Sequence, residues 1–108
     1  MITVRPGKPR FSQRALCSEL RRRLPTNVQA AFLFGSYASK SAHDLSDIDV
    51  VVVYETRRAW PERFVDFPKV LALGNVDLLA YTPEEYAQLQ RFPSAFWREI
   101  RKTAIPLL

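Results

Sequence analysis

Residues 46–54 read Ser46-Asp47-Ile48-Asp49-Val50-Val51-Val52-Val53-Tyr54, and the architecture of the chain hangs on them. β-Branched and aromatic side chains favour a pleated, half-buried surface, so Ile48–Tyr54 is predicted to be a strand. It is apolar on both alternations, as expected of a strand covered on both faces. Such a strand is central and needs neighbours. Upstream, Val28–Phe34 is a short apolar run ended by Gly35. Downstream, Val76–Tyr81 follows a Gly74-Asn75 turn. Both are predicted strands.

Helices are expected between and around these strands. Ser12 caps a helix running to about Leu24, with Phe11, Ala15, Leu16, Leu20 and Leu24 near one face and Cys17 on the apolar side. Trp60–Leu73 has helical character, with Pro61 suited to a first helical position and Pro68 interrupting it. Thr82-Pro83-Glu84-Glu85 is a capping box that starts a helix ended by Pro93. Ser94 caps a last helix through about Thr103. Residues 36–46 form a small polar loop with one helical turn near Tyr37–Lys40. The order α-β-β-(α)-β-α-α describes one α/β domain over residues 1–108, with 1–9 an irregular lead-in and helices packed on a small sheet of at least three strands.

Composition excludes other classes. Of the 108 residues, 47% are hydrophobic and 25% charged, enough for a core and ordinary for a soluble domain. No stretch approaches the roughly 18 apolar residues of a membrane span, and the basic N-terminus lacks the apolar segment of a signal peptide. A single cysteine, Cys17, excludes an internal disulfide framework and a cysteine-based zinc site. A cytoplasmic protein is expected. The net charge of +5 is uneven: residues 1–24 hold seven Lys/Arg and one acid, whereas residues 25–81 hold five bases and seven acids. The basic run Arg21-Arg22-Arg23 reads as a solvated helix face, and the acidic middle argues against a continuous nucleic-acid surface.

The acids carry the chemistry. Asp47 and Asp49 are two apart at the mouth of the central strand, so both project to one side while Ile48 points to the other. Asp77 stands in a second apolar strand, where a charge is costly unless paired or metal-bound. If the two strands are neighbours, three carboxylates converge. Their repulsion is relieved by a cation, and hard oxygen ligands suit Mg²⁺ or Mn²⁺. Gly35-Ser36, directly after the first strand, can bring backbone N–H groups and a hydroxyl to phosphate oxygens. A phosphate cradle facing a carboxylate cluster is the machinery of phosphoryl or nucleotidyl transfer.

In this order, Gly35-Ser36, a loop of about ten residues, Ser46-Asp47-Ile48-Asp49 and a downstream strand Asp77 resemble the signature of the DNA polymerase beta-type nucleotidyltransferase superfamily. The short chain resembles its minimal nucleotidyltransferases, known from toxin–antitoxin pairs with HEPN proteins. The resemblance implies a mixed sheet of three to four strands flanked by helices. It implies that Gly35 and Ser36 contact the triphosphate, that Asp47 and Asp49 ligate two divalent ions, and that Asp77 serves either as a third metal ligand or as the base for the acceptor hydroxyl. It also implies AMP transfer from ATP to a tyrosine of a HEPN partner, with this chain as antitoxin. Two positions depart from the pattern: Lys40 stands where many relatives carry Gly, and Tyr37 where many carry Arg.

Other readings remain at this level. The chain could be a binding antitoxin that keeps the fold without catalysis, or a small-molecule nucleotidyltransferase that completes its acceptor site as a homo-oligomer. Trp60, Phe92, Phe96 and Trp97 read as packing residues, a few of them able to form an apolar patch for a partner.

Overall fold

In the computed structural model, which describes residues 7–92 and 94–108, the valine run is the second strand of a four-stranded mixed sheet. The elements follow as α1 (Gln13–Arg23), β1 (Val28–Phe34), α2 (Gly35–Ala38), β2 (Ile48–Tyr54), a 3-10 helix (Trp60–Asp66), α3 (Pro68–Leu71), β3 (Val76–Tyr81), α4 (Pro83–Arg91), α5 (Ala95–Thr103) and β4 (Ile105–Pro106). The strand order is β3-β2-β1-β4. β2 lies antiparallel to β1, with Phe34 opposite Asp49, and parallel to β3, with Asp49 opposite Asp77. It is the central, doubly covered strand that its composition requires.

Each face of the sheet has its own core. Leu16, Cys17 and Leu20 of α1, with Phe67 and Val70, pack on Leu33, Ile48, Val50, Val52 and Tyr54. On the other face, Trp97 and Ile100 of α5 pack on Phe34 and Val51, with Phe32, Leu79, Tyr81, Tyr86 and Leu89 around them. The expected helix face needs one correction, that Ala15 is exposed, whereas Cys17 is buried as expected.

The caps hold as hydrogen bonds. Ser12 Oγ accepts from Ala15 N, Ser94 Oγ accepts from Trp97 N, and Thr82 and Glu85 bond each other reciprocally. Other boundaries moved. The helical turn expected near Tyr37–Lys40 begins at Gly35 and ends at Ala38. The Trp60–Leu73 connection, by contrast, is interrupted as expected: it divides into the 3-10 helix and α3, with Pro68 opening α3. The two-residue β4 pairs with Phe32 and Leu33, and Leu107 N donates to Ala31 O just beyond it. The first six residues of the lead-in, and Pro93 with its expected role, lie outside the described residues.

The basic run is a largely exposed helix face, as expected, and it is also tied to its surroundings. Arg21 Nε donates to Leu107 O, Arg22 and Arg23 pair with Glu19, and Arg23 Nη1 donates to Lys69 O. Among the described residues no helix is long and apolar enough to cross a membrane.

Arg63 is a buried cation, only 6% exposed. Its guanidinium donates to the carbonyls of Arg58 and Ala80 and to both oxygens of Glu85, joining the 3-10 helix, β3 and α4. The Arg63 hydrogen bonds hold the Glu85 carboxyl below its ordinary range. The ionised pair therefore adds stability above that range, and the contribution is lost as the pH falls through it. Breaking a buried pair by removing one partner costs about 3–5 kcal/mol, less here because Glu85 stays partly hydrated. Arg63→Ala should lower stability by about 2–3 kcal/mol at pH 7 and by less at pH 3. Urea denaturation at the two pH values measures this difference.

Candidate active site

The register places Asp49 at the centre of a small acidic edge. Phe34 lies opposite it on one side and Asp77 on the other. Parallel neighbours in register project to the same face of a sheet, so Asp49 and Asp77 stand side by side. Asp47 lies one step before β2, on the same alternation as Asp49, and is exposed. Asp77 is also exposed, whereas Asp49 is half-buried. Burial first, then the charges of Asp77 and Asp47, push the Asp49 carboxyl up from 3.8 to about 6.

Gly35 makes this position for Asp49 geometrically available. Its φ is +72°, in the left-handed region where a Cβ is strained. A Cβ built there would lie 2.0 Å from Asp49 Oδ2 and 2.9 Å from Asp49 Cγ. The carboxylate thus occupies the space a side chain on residue 35 would need, and β1 turns into α2 directly against it. Ser36 follows, half-buried, in the first turn of α2.

The Asp47 loop is tied from several sides. Ser46, buried at 7% exposure, accepts from His43 N through its hydroxyl and donates from its own N–H to His43 O. His43 Nδ1 in turn accepts from Leu45 N. Tyr37 is a core residue at 2% exposure, and its hydroxyl is buried with no partner among the described residues. Lys40 is exposed and has φ +60°, a left-handed backbone that glycine adopts without strain.

An open groove of about 520 Å³ adjoins Gly35 between α2 and α5, lined by Phe34, Gly35, Ser39, Phe96, Glu99 and Thr103 among others. A cavity of about 570 Å³ lies at the far end of β2, around Tyr54–Arg58 and Asp66, and holds none of the three aspartates. Of the aromatics read as packing residues, Trp97 is buried, whereas Trp60, Phe92 and Phe96 are 43%, 67% and 52% exposed.

The donor set fits a hard divalent cation: carboxylate oxygens only, crowded enough that one of them is driven toward its neutral form. As placed, no three His, Cys, Asp or Glu side chains among the described residues surround one point closely enough to chelate it. Asp49 and Asp77 are paired in register, and Asp47 stands at the mouth.

The profile of the family described as Polymerase beta, Nucleotidyltransferase matches residues 17–92, a span that includes Gly35, Ser36 and all three aspartates. The chain belongs to this nucleotidyltransferase family. No curated protein sequence matches it. Solved structures share the fold. A toxin–antitoxin pair crystallised with AMP-PNP superposes with a TM-score of 0.57 at 22% identity, over 91% of this chain and 73% of that one. A tri-AMPylated HEPN toxin of Shewanella oneidensis in complex with an MNT antitoxin gives 0.55 at 19% identity, over 89% and 71%. A protein of Sulfolobus solfataricus assigned as a nucleotidyltransferase gives 0.55 at 22% identity, over 71% and 76%. At these identities the likeness is one of fold, and it agrees with the four-stranded mixed sheet and flanking helices of this chain.

Two outcomes test the geometry. Gly35→Ala should cost about 1–2 kcal/mol from its left-handed backbone alone, with displacement of Asp49 added, seen as a lower melting temperature. Asp49→Asn should do the opposite in metal-free protein. An acid with a raised folded pKa holds its proton more tightly folded than unfolded, so stability falls as pH rises from about 4 to about 6. The variant escapes that loss: it should be about 1–2 kcal/mol more stable than the parent at pH 7 and equal to it near pH 4, by denaturant titration.

Proposed function

We propose that this chain is a metal-dependent nucleotidyltransferase that moves AMP from ATP onto a hydroxyl, that the hydroxyl is a tyrosine of a HEPN-type protein partner, and that the chain acts as its antitoxin in the cytoplasm. The observation that carries this reading is the placement of Asp49 between the glycine of Gly35-Ser36 and the carboxylate of Asp77. The family match supports nucleotidyl transfer, and the solved toxin–antitoxin complexes of the same fold support the partner.

In this reading Asp47 and Asp49 hold Mg²⁺ or Mn²⁺, with Asp77 either as a third ligand or as the base for the acceptor. Two such ions, when bound, supply charge neutralisation for the attacking and departing oxygens. Gly35 and Ser36 bind the triphosphate, with the backbone turn and the hydroxyl facing its oxygens. The acceptor oxygen bonds to the α-phosphorus, the bond to the bridging oxygen breaks, and pyrophosphate leaves. The acceptor proton passes to a carboxylate, and Asp77, exposed beside Asp49, is the candidate for that role where it is not the third ligand. Asp49 must be ionised to contribute, so transfer should rise with pH through about 6 in the metal-poor enzyme.

Intact-mass spectrometry tests the proposal. With ATP and Mg²⁺, the HEPN partner should gain the mass of AMP, and an Asp49→Asn control should leave it unmodified. A stable complex without the added mass, which still neutralises the toxin in the Asp47→Asn, Asp49→Asn double variant, would establish a binding antitoxin instead.

A further inference from the structure

Asp47 is exposed and lies outside the strand ladder, yet the two peptide units that flank it are both held by one residue. Asn75 Nδ2 donates to Ser46 O at 3.2 Å, and at 3.5 Å to Leu45 O. The backbone carbonyl of Asn75 accepts from Ile48 N at 2.8 Å. Ser46 O belongs to the peptide entering Asp47 and Ile48 N to the peptide leaving it. The rotation of Asp47 about its own backbone is therefore fixed from both sides, and the residue that fixes it stands two before Asp77.

Asn75 is itself anchored. It has φ +57° and follows Gly74 at φ +77°, a pair of left-handed residues that Gly and Asn adopt most readily. Arg10 closes on this turn from the other side, donating to Leu73 O at 2.7 Å and Gly74 O at 2.6 Å. The segment before Arg10 also meets the Asp47 loop: Gly7 N donates to Asp44 Oδ1, and Asp44 N donates to Gly7 O. The turn before Asp77 and the loop before Asp47 are thus tied to each other and to the segment around Arg10. A glycine at 75 would supply the backbone at lower cost, but it would lose the amide that donates to Ser46 O.

We propose that Asn75 is a positioning residue: it sets Asp47 relative to Asp77, so that the two loops present their carboxylates to one divalent ion. The proposal rests on the metal-dependent reading of the acidic edge. Groups that orient metal ligands from behind typically matter by about 10–100-fold in affinity.

The probe is Mn²⁺ alone, titrated into the full chain without nucleotide. Asn75→Gly keeps the left-handed backbone and removes the amide. It should leave the metal-free melting temperature close to the parent's and raise the Mn²⁺ Kd about tenfold. In an Asp47→Asn background it should cause no further loss, because the residue it orients no longer ligates. An unchanged Kd overturns the proposal, and so does a tenfold loss that persists in the Asp47→Asn background, which marks a general structural role. If Asn75→Gly melts early, Asn75→Asp keeps the side-chain shape but sets an oxygen against Ser46 O. Weaker Mn²⁺ binding by that folded variant supports the proposal, and binding as tight as the parent's or tighter overturns it. A parent chain that binds no Mn²⁺ removes the metal reading of the acidic edge and this inference with it. A parent that binds, beside an Asn75→Gly variant that binds equally, removes this inference alone.

Discussion

The contact between the Asp49 carboxylate and the α-carbon of Gly35 constrains everything near the acidic edge. A carboxylate at the start of a doubly covered central strand has little water, and it has carboxylates for neighbours. It fits only because residue 35 has no side chain and takes a left-handed backbone. That backbone lets β1 end at Phe34 and turn at once into α2. The antiparallel pairing of β1 with β2 then brings the turn over Asp49, and the parallel pairing of β2 with β3 brings Asp77 beside it. A one-residue slip in either pairing would send the carboxylate to the opposite face. The buried valines of β2, packed on both sides, make such a slip costly, so core packing sets the register on which the acidic edge depends.

The arrangement is unfavourable in the metal-free chain. Three acids at one edge repel, and the one least able to reach water is pushed toward its neutral form. The fold counters this with rigidity: the Ser46 turn, the Asn75 amide and the Arg10 guanidinium hold the surrounding backbone, and the structural arginines sit elsewhere. Arg63 binds Glu85, Arg58 binds Asp66, and Arg22 and Arg23 bind Glu19. Among the described residues, no salt bridge reaches Asp47, Asp49 or Asp77. An edge kept acidic while arginines neutralise other carboxylates is an edge suited to a cation supplied from solution.

Much of this was legible in the sequence, for local reasons. Val28–Phe34, Ile48–Tyr54 and Val76–Tyr81 are apolar runs bounded by Gly, Pro or polar residues, and each is a strand with the expected limits. Ser12, Thr82 and Ser94 cap helices through neighbours three residues away, a range that a pattern can express. What escaped the reading is long-range. β4 is two residues long and contains a proline, so it has no periodicity to detect. Arg63 meets Glu85 across 22 positions and Asn75 meets Ser46 across 29, and nothing in the spacing marks either pair. The convergence of the aspartates was expected only if β2 and β3 were neighbours. They are, yet the three side chains stop short of a closed ligand set.

That shortfall has a physical explanation in the placement of the acids. Asp49 is fixed by Gly35 and by burial, and its two acidic neighbours, Asp47 and Asp77, lie at the rim, where water screens their repulsion. Asp47 and Asp77 stay apart at little cost, and the backbone on either side of Asp47 is tied by Asn75. Exposed apolar residues continue the same logic outward. Leu45, 77% exposed, stands two positions before Asp47, and Phe96 stands on the groove beside Gly35. On the proposed reading, the carboxylates form the floor of the site, and these exposed apolar residues flank it on the side from which an acceptor would approach.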